Sequence, residues 1–123
     1  RDVTLSLDTP KREILIPGER VSLREALTNV IDNALRHGAP SRLAVRVREE
    51  AEAAQIEVED DGPGMSRERQ EEVVHRFGRP AGGERTGGLG FAIAAEVCRA
   101  HRGTLAFRGG SGEPFVVVLR FPR

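Results

Sequence analysis

Two asparagines and an arginine have a spacing that suits the binding of a metal-bound phosphate. Asn29 and Asn33 are four residues apart and Arg36 follows three residues later, in a stretch whose apolar residues recur every three or four positions. On a helix these side chains lie along one edge beside the apolar stripe. Amide oxygens suit Mg²⁺, which keeps several waters and takes further ligands from nucleotide phosphates. We therefore expect Mg²⁺ and phosphate along this edge, with solvated asparagines as the alternative.

An acidic turn offers a second kind of contact. The segment Asp60-Asp61-Gly62-Pro63-Gly64 follows an alternating apolar pattern that predicts a strand. Glycines let a flat ligand approach the backbone, and a carboxylate at the strand end can accept a hydrogen bond from the exocyclic amine of adenine. Because such a segment taken alone is usually only a turn, the adenine interpretation depends on the other motifs.

A glycine-rich segment precedes another predicted helix. Thr86-Gly87-Gly88-Leu89-Gly90 stands where the helix begins. Unpaired backbone N–H groups and the positive end of the helix dipole favour an anion there. The segment matches neither the Walker pattern nor the dinucleotide fingerprint. It predicts a phosphate contact, with a flexible loop that meets a helix as the alternative.

Alternating and helical patterns predict the elements that position these motifs. Strands and helices come in the order that is typical of a helical layer packed on one face of a largely antiparallel sheet. We expect a two-layer α+β sandwich with a mixed, mostly antiparallel sheet, three helices on one face and a flexible loop. The predicted strands are 3–8, 13–16, 42–50, 55–60, 104–108 and 114–121, and the predicted helices are 23–37, 66–75 and 88–101. Ser22 with Glu25 would cap the first helix, and Gly103 would end the last. The predicted loop is 78–87.

Length and composition exclude several classes of protein. The chain has 123 residues, which fits one domain over residues 1–123. Its charge is balanced, with 19 basic and 19 acidic residues, which argues against a nucleic-acid binder. One cysteine excludes an intrachain disulfide framework, and the roughly 20-residue apolar run of a membrane span is missing. Because the chain begins with Arg1, we expect a fragment of a longer protein.

The charges are segregated along the chain. Seven acidic residues and no basic residue lie between Glu49 and Asp61, whereas eight arginines lie from Val73 onward. Two solvated faces would explain this pattern, and so would an anion site in the later segment.

The order of the motifs carries a resemblance to a known family. Leu27–His37 resembles the N box of the GHKL superfamily of ATP-binding domains, and Asp60–Gly64 resembles its DxGxG box. Arg76-Phe77 resembles the F box, and Gly88–Phe91 resembles the second glycine box. Together with the closing segment Ala100–Gly103, these boxes are most similar to the catalytic and ATP-binding domain of bacterial two-component sensor histidine kinases. The resemblance covers essentially the whole chain and implies the Bergerat ATP-binding fold.

The resemblance implies roles for individual residues. Asn33 would coordinate Mg²⁺, Asn29 would support the metal and phosphate site, and Arg36 would contact the phosphates of ATP. Asp60 would recognise adenine. Residues 78–87 would form a lid over ATP. The other residues implied to contact nucleotide shape the base pocket (Gly62 and Gly64), serve as hinge or lid (Phe77, Arg79 and Arg85), or hold phosphate near the helix start (Gly87, Gly88, Leu89 and Gly90).

The sequence departs from the family's pattern at two positions and indicates which reaction to expect. Thr86 stands where the second glycine box usually begins with glycine, and Phe91 stands where it usually has leucine.

ATP-hydrolysing relatives have glutamate four residues before the metal asparagine, where it activates water. This chain has Asn29 there, and an amide cannot accept the proton, so efficient hydrolysis is disfavoured.

The resemblance therefore implies a protein histidine kinase. Its γ-phosphate would go to a histidine in a separate helical hairpin domain, because none of His37, His75 and His101 is followed by an acidic residue, as a phosphoacceptor typically is. A response regulator would be an indirect partner. We expect a monomeric, cytoplasmic fragment without membrane contact, from a parent protein that upstream segments can attach to the inner membrane. A serine kinase of the anti-sigma-factor type and a regulatory nucleotide-binding module without phosphate transfer are the alternatives.

Overall fold

The computed structural model describes residues 3–11, 14, 16–38, 42–62, 68, 70–72, 89–110 and 113–123. Five strands and two longer helices lie within these ranges, and a π-helical turn, Ala34–Gly38, directly continues the first helix. Residues 68 and 70–72 are also helical, in agreement with the predicted helix 66–75. The elements are β1 (Thr4–Asp8), α1 (Arg20–Asn33), β2 (Arg42–Glu49), β3 (Ala53–Asp60), α2 (Leu89–Ala100), β4 (Thr104–Gly110) and β5 (Glu113–Pro122).

The strands form one mixed sheet in the order β1-β2-β3-β5-β4. β1 runs parallel to β2, and every other pair in the sheet is antiparallel. Val45 of β2 stands opposite Val58 of β3, which stands opposite Val117 of β5. Because successive side chains of a strand point to opposite faces, this register places one apolar row across the centre of the sheet. The predicted mixed, mostly antiparallel sheet is confirmed.

The apolar face of the sheet and the two helices enclose the core. α1 contributes Ala26 and Val30, and α2 contributes Phe91, Ala94 and Cys98. The ring of Phe91 meets Phe107 edge to face, with centroids 5.2 Å apart, and Phe107 stacks on Phe115 at 5.6 Å. Cys98 is a free thiol in this core, and burial raises its pKa to about 11. The two-layer α+β sandwich is therefore confirmed.

The other face of the sheet carries charged side chains. Arg46 and Arg48 of β2, Glu57 and Glu59 of β3 and Arg108 of β4 form ion pairs across it. β1 is an edge strand on which Leu5 and Leu7 are largely exposed.

Two details of the first 25 residues differ from the prediction. Ile14 and Ile16 lie outside any strand, and Ile16 packs against the core instead; Glu13 and Leu15 lie outside the described residues. Helix α1 begins at Arg20, so Ser22 is not its cap. The carboxylate of Glu19 accepts hydrogen bonds from the Ser22 N–H at 2.9 Å and the Ser22 hydroxyl at 2.6 Å. Glu19 thus satisfies the first turn of the helix in place of the predicted Ser22 and Glu25.

Helix α2 ends near Gly103, as predicted, but Gly103 is not the left-handed residue at the helix end. The left-handed residue is Arg102, with φ of 62°, and the Gly103 N–H donates to the Cys98 carbonyl at 2.7 Å. A Cβ atom at Gly103 would lie 2.3 Å from the Arg120 carbonyl oxygen. The close approach of β5 therefore requires glycine at this position.

Candidate functional site

Helix α1 presents its two asparagines on the flank of its buried stripe. Ala26 and Val30 are fully buried, whereas Asn29 and Asn33 are only partly buried. The Asn29 side-chain N–H donates to the Glu25 carbonyl at 2.7 Å. This bond uses the amine end of the carboxamide, so the oxygen end is left as an acceptor. The structure thus supports the predicted placement of two amide groups one turn apart beside the core.

Arg36 follows in the π-helical turn Ala34–Gly38. Its side chain is 69% exposed, and its Nε atom lies 3.2 Å from Oδ2 of Asp32, which is 53% exposed. The motif spacing predicts a phosphate contact for Arg36 but not this ion pair. The spacing of four residues between an acid and a base on a helix was the signal for this ion pair.

Asp60 ends β3 as a buried acid. Its residue exposure is 4%, and its Oδ1 atom accepts a hydrogen bond from the Gly62 N–H at 2.8 Å. Burial raises the pKa of Asp60, and the charges of Asp61 and Glu59 add to this effect, while the Gly62 N–H opposes it. A carboxylate has about four acceptor sites, and this bond uses one of them. Asp60 is thus a buried acid with acceptor capacity for a ligand.

The neighbouring acid, Asp61, has a different task. Its Oδ1 atom accepts from the Arg42 N–H at 3.0 Å, and its own N–H donates to the Arg42 carbonyl at 3.3 Å. Asp61 is exposed and joins the end of β3 to the start of β2. Of the two consecutive acids, Asp60 is therefore the one suited to recognise a buried ligand.

The glycine-rich segment leads into α2, which begins at Leu89. Leu89 and Gly90 belong to its first turn, whose N–H groups have no partner within the helix. Phe91, which stands where the family usually has leucine, is 1% exposed and lies in the core. The other predicted contacts in this part of the chain, namely Gly64, Phe77, Arg79, Arg85, Gly87 and Gly88, and the predicted loop 78–87, lie outside the described residues.

His101 links the two helices at the ends opposite the asparagines and the glycine segment. Its Nε2 atom accepts from the Glu19 N–H at 3.0 Å, and its Nδ1 atom lies 2.8 Å from the Val97 carbonyl oxygen. The ring also meets Phe121 edge to face. These contacts give His101 a structural role between the two helices.

The donor set limits the kind of metal that the described residues can hold. Within this part of the chain, no three His, Cys, Asp or Glu side chains form a group that could bind a metal ion. Neutral amide oxygens from α1 suit a metal that brings its own phosphate and water ligands, as Mg²⁺ does. Asn29 and Asn33 therefore fit Mg²⁺ bound together with a nucleotide.

Comparison with known families decides the family of the chain. Residues 18–123 match the family described as histidine kinase-, DNA gyrase B- and HSP90-like ATPase. The chain belongs to this ATPase family. Membership supports ATP as the nucleotide of the site.

Two relatives of the chain within this ATPase family are sensor proteins. It is 32% identical over 107 residues to the sensor histidine kinase GtrS of Pseudomonas aeruginosa, which covers 87% of the chain and 22% of GtrS. It is 39% identical over 100 residues to the swarming motility regulation sensor protein RssA of Serratia marcescens, which covers 79% of the chain and 21% of RssA. The chain thus spans less than a quarter of the length of these two relatives.

A solved structure supports the same fold. The crystal structure of the ATP-binding domain of PrrB from Mycobacterium tuberculosis superposes with a TM-score of 0.78 at 27% sequence identity. The match covers 99% of this chain and 81% of the PrrB structure. No helix in the described ranges is both long enough and apolar enough to cross a membrane.

Proposed function

We propose that this chain is the ATP-binding catalytic domain of a sensor histidine kinase. It binds Mg-ATP and donates the γ-phosphoryl group to a histidine on a separate helical hairpin domain. The environment of Asp60 is the observation that supports this proposal most directly. Asp60 is a buried carboxylate whose Oδ1 atom accepts a hydrogen bond from the Gly62 N–H, and it can accept a further hydrogen bond from the exocyclic amine of adenine. The sensor kinases among its relatives support the choice of reaction.

The roles of the other residues follow from this assignment. Asn33 and Asn29 hold the metal through their amide oxygens, and Mg²⁺ when bound neutralises charge on the phosphates. Arg36 contacts the phosphates, and Gly90 with Leu89 offers them backbone N–H groups. Gly62 and Gly64 shape the base pocket.

Further nucleotide contacts are proposed for residues 77–88, which precede α2. Phe77, Arg79 and Arg85 belong to the hinge and lid over ATP, with residues 78–87 as the lid, and Gly87 and Gly88 approach the phosphates. A lid excludes water from the transferred group.

The absence of a glutamate favours transfer to histidine over hydrolysis. Asn29 occupies the position from which a carboxylate would activate water, and its amine end donates to the Glu25 carbonyl. An amide cannot accept the proton of an attacking water. In the proposed transfer, the bond from the γ-phosphorus to the bridging oxygen breaks and a bond to an imidazole nitrogen forms, so ADP leaves.

Titration of Mg-ATP into the wild type and Asp60→Asn tests the nucleotide site. In Asp60→Asn the amide oxygen still accepts from Gly62, so the amine end is directed toward the adenine amine and two donors oppose each other. We expect the Kd to rise at least about 30-fold. Asp61→Asn is the matched control, because its amide oxygen can still accept from Arg42, and its Kd should stay near the wild-type value. Equal affinity of Asp60→Asn and the wild type would contradict the adenine assignment.

Incubation with labelled ATP tests the transfer step. The chain alone should remain unlabelled, and addition of the helical hairpin domain from a parent protein should give acid-labile phosphohistidine on that domain. Acid-stable phosphoserine on a protein partner would favour the serine kinase alternative. Strong self-labelling of the chain on a histidine would contradict the proposal. The response regulator as final acceptor, a monomeric state and a cytoplasmic location complete the proposal.

A further inference from the structure

The ion pair between Asp32 and Arg36 lies beside the asparagines that would hold the metal. Nε of Arg36 is 3.2 Å from Oδ2 of Asp32, and both side chains are more than half exposed. Asp32 directly precedes Asn33, and Arg36 lies in the π-helical turn that begins at Ala34. The pair therefore joins Arg36, which belongs to the proposed site, to Asp32, which has no role in the proposed function.

The local backbone favours this pairing. A π-helical turn contains more residues than an α-helical turn, because its hydrogen bonds join residues five apart. Passage from α1 into the turn therefore brings Arg36 more nearly above Asp32 than a regular helix would. Single π turns occur frequently at functional sites. The guanidinium is thus held against the preceding turn of its own helix.

The charges of ATP set up a competition for this guanidinium. Arg36 is the described cation nearest in sequence to Asn33, and the Asp32 carboxylate neutralises it locally. A bound triphosphate must share Arg36 with Asp32 or displace it. Because the pair is exposed, its coupling is small, and the stronger charge of the phosphates can overcome it.

We propose that Asp32 competes with the phosphates for Arg36 and so lowers the affinity of the site for Mg-ATP. This inference rests on the proposed function, in which Arg36 contacts phosphate. Removal of the Asp32 charge releases the guanidinium, whereas a glutamate at the same position keeps the pair. Asp32 thereby sets the affinity of the site without a contact to base or metal.

A double-mutant cycle on Mg-ATP affinity tests the inference. Asp32→Asn should lower the Kd about two- to three-fold at low ionic strength. The gain should shrink at high salt, because exposed charges are screened. Asp32→Glu should stay near the wild type. In a background that carries Arg36→Gln, Asp32→Asn should change the Kd by less than about 1.5-fold, because the guanidinium for which Asp32 and the phosphates compete is gone.

Glu96→Gln on α2 is the matched control. Glu96 also pairs with an arginine one turn away, Arg99, and both side chains are exposed. Its removal changes the net charge by the same amount and should leave the Kd unchanged. An unchanged or weakened affinity in Asp32→Asn would overturn the inference, as would a full gain in the Arg36→Gln background. Failure of the wild type to bind Mg-ATP would instead overturn the proposed function and this inference with it.

Discussion

Two buried acids of β3, which lie on opposite faces of the sheet, differ in how the fold compensates their charge. Glu57 and Asp60 are each 4% exposed. Burial raises the pKa of both, but at Glu57 hydrogen bonds from Arg46, Gln55 and Arg108 outweigh it and lower the pKa to about 2. Asp60 accepts one backbone hydrogen bond from Gly62 and has a raised pKa.

The hydrogen-bond partners of a buried carboxylate distinguish a structural acid from a candidate ligand-binding acid. Glu57 has its charge matched by arginines of β2 and β4, Arg46 at 2.9 Å and Arg108 at 3.3 Å. Its acceptor capacity is used within the fold, and a ligand would find little to contact. Asp60 bears a desolvation penalty, against which the described residues supply the Gly62 N–H group. The ionised form of such an acid opposes folding of the free protein, which fits the ligand-binding role that we propose for Asp60.

The largest effect is expected from Glu57→Gln. The variant keeps the shape of the side chain but removes the buried charge that Arg46, Arg48 and Arg108 share, although Arg46 keeps its pair with Glu59. The free energy of unfolding at pH 7 should therefore fall by about 3 kcal/mol. Chemical denaturation followed by circular dichroism measures this change. Arg48→Gln is a milder variant, because Arg48 is half exposed and 3.6 Å from Glu57, and it should change the free energy of unfolding by less than about 1 kcal/mol.

The pH dependence of stability checks the cause of that loss. The pKa of Glu57 is about 2 in the folded protein and 4.5 as its ordinary value. The unfolded chain therefore binds more protons between these values, and the stability from Glu57 is present above about pH 4.5 and lost as the pH falls toward 2. The wild type should lose more stability than Glu57→Gln across this window. Parallel acid limbs for the two proteins would show that the ion pairs of Glu57 are not the cause.

A smaller effect of opposite sign is expected from Asp60→Asn in the absence of nucleotide. The raised pKa of Asp60 means that its ionised form opposes folding at neutral pH, and this opposition disappears as the pH falls through its folded pKa. The neutral amide should therefore stabilise the free protein by about 1 kcal/mol at pH 7. Thermal unfolding of both proteins measures it. A destabilised Asp60→Asn would mean that the fold itself depends on the charge.

Local patterns were sufficient to predict the parts of the site that depend on helix and strand periodicity. The spacing of Asn29 and Asn33 placed them on the flank of α1, and the alternating pattern of β3 placed Asp60 at its end. The position of Gly90 in the first turn of α2 followed from the glycine-rich helix start. These features need only the geometry of one element.

Features that depend on contacts between elements could not be predicted in this way. The spacing of Ser22 to Glu25 fits a capping box and predicts Ser22 as the cap of α1, whereas the cap is Glu19, whose N–H donates to His101 across 82 residues of sequence. A strand was expected at Ile14 and Ile16, but Ile16 packs against the core without joining the sheet. The separate roles of Asp60 and Asp61 also depend on a partner, Arg42, from another strand.

The most direct test of the proposed adenine contact is the Kd for Mg-ATP of Glu57→Gln and Asp60→Asn, measured side by side at a temperature where both are folded. We expect a wild-type Kd for Glu57→Gln despite its lower stability, and a Kd at least about 30-fold higher for Asp60→Asn despite its higher stability. A loss of affinity in Glu57→Gln equal to that in Asp60→Asn, or a wild-type Kd in Asp60→Asn, would contradict it.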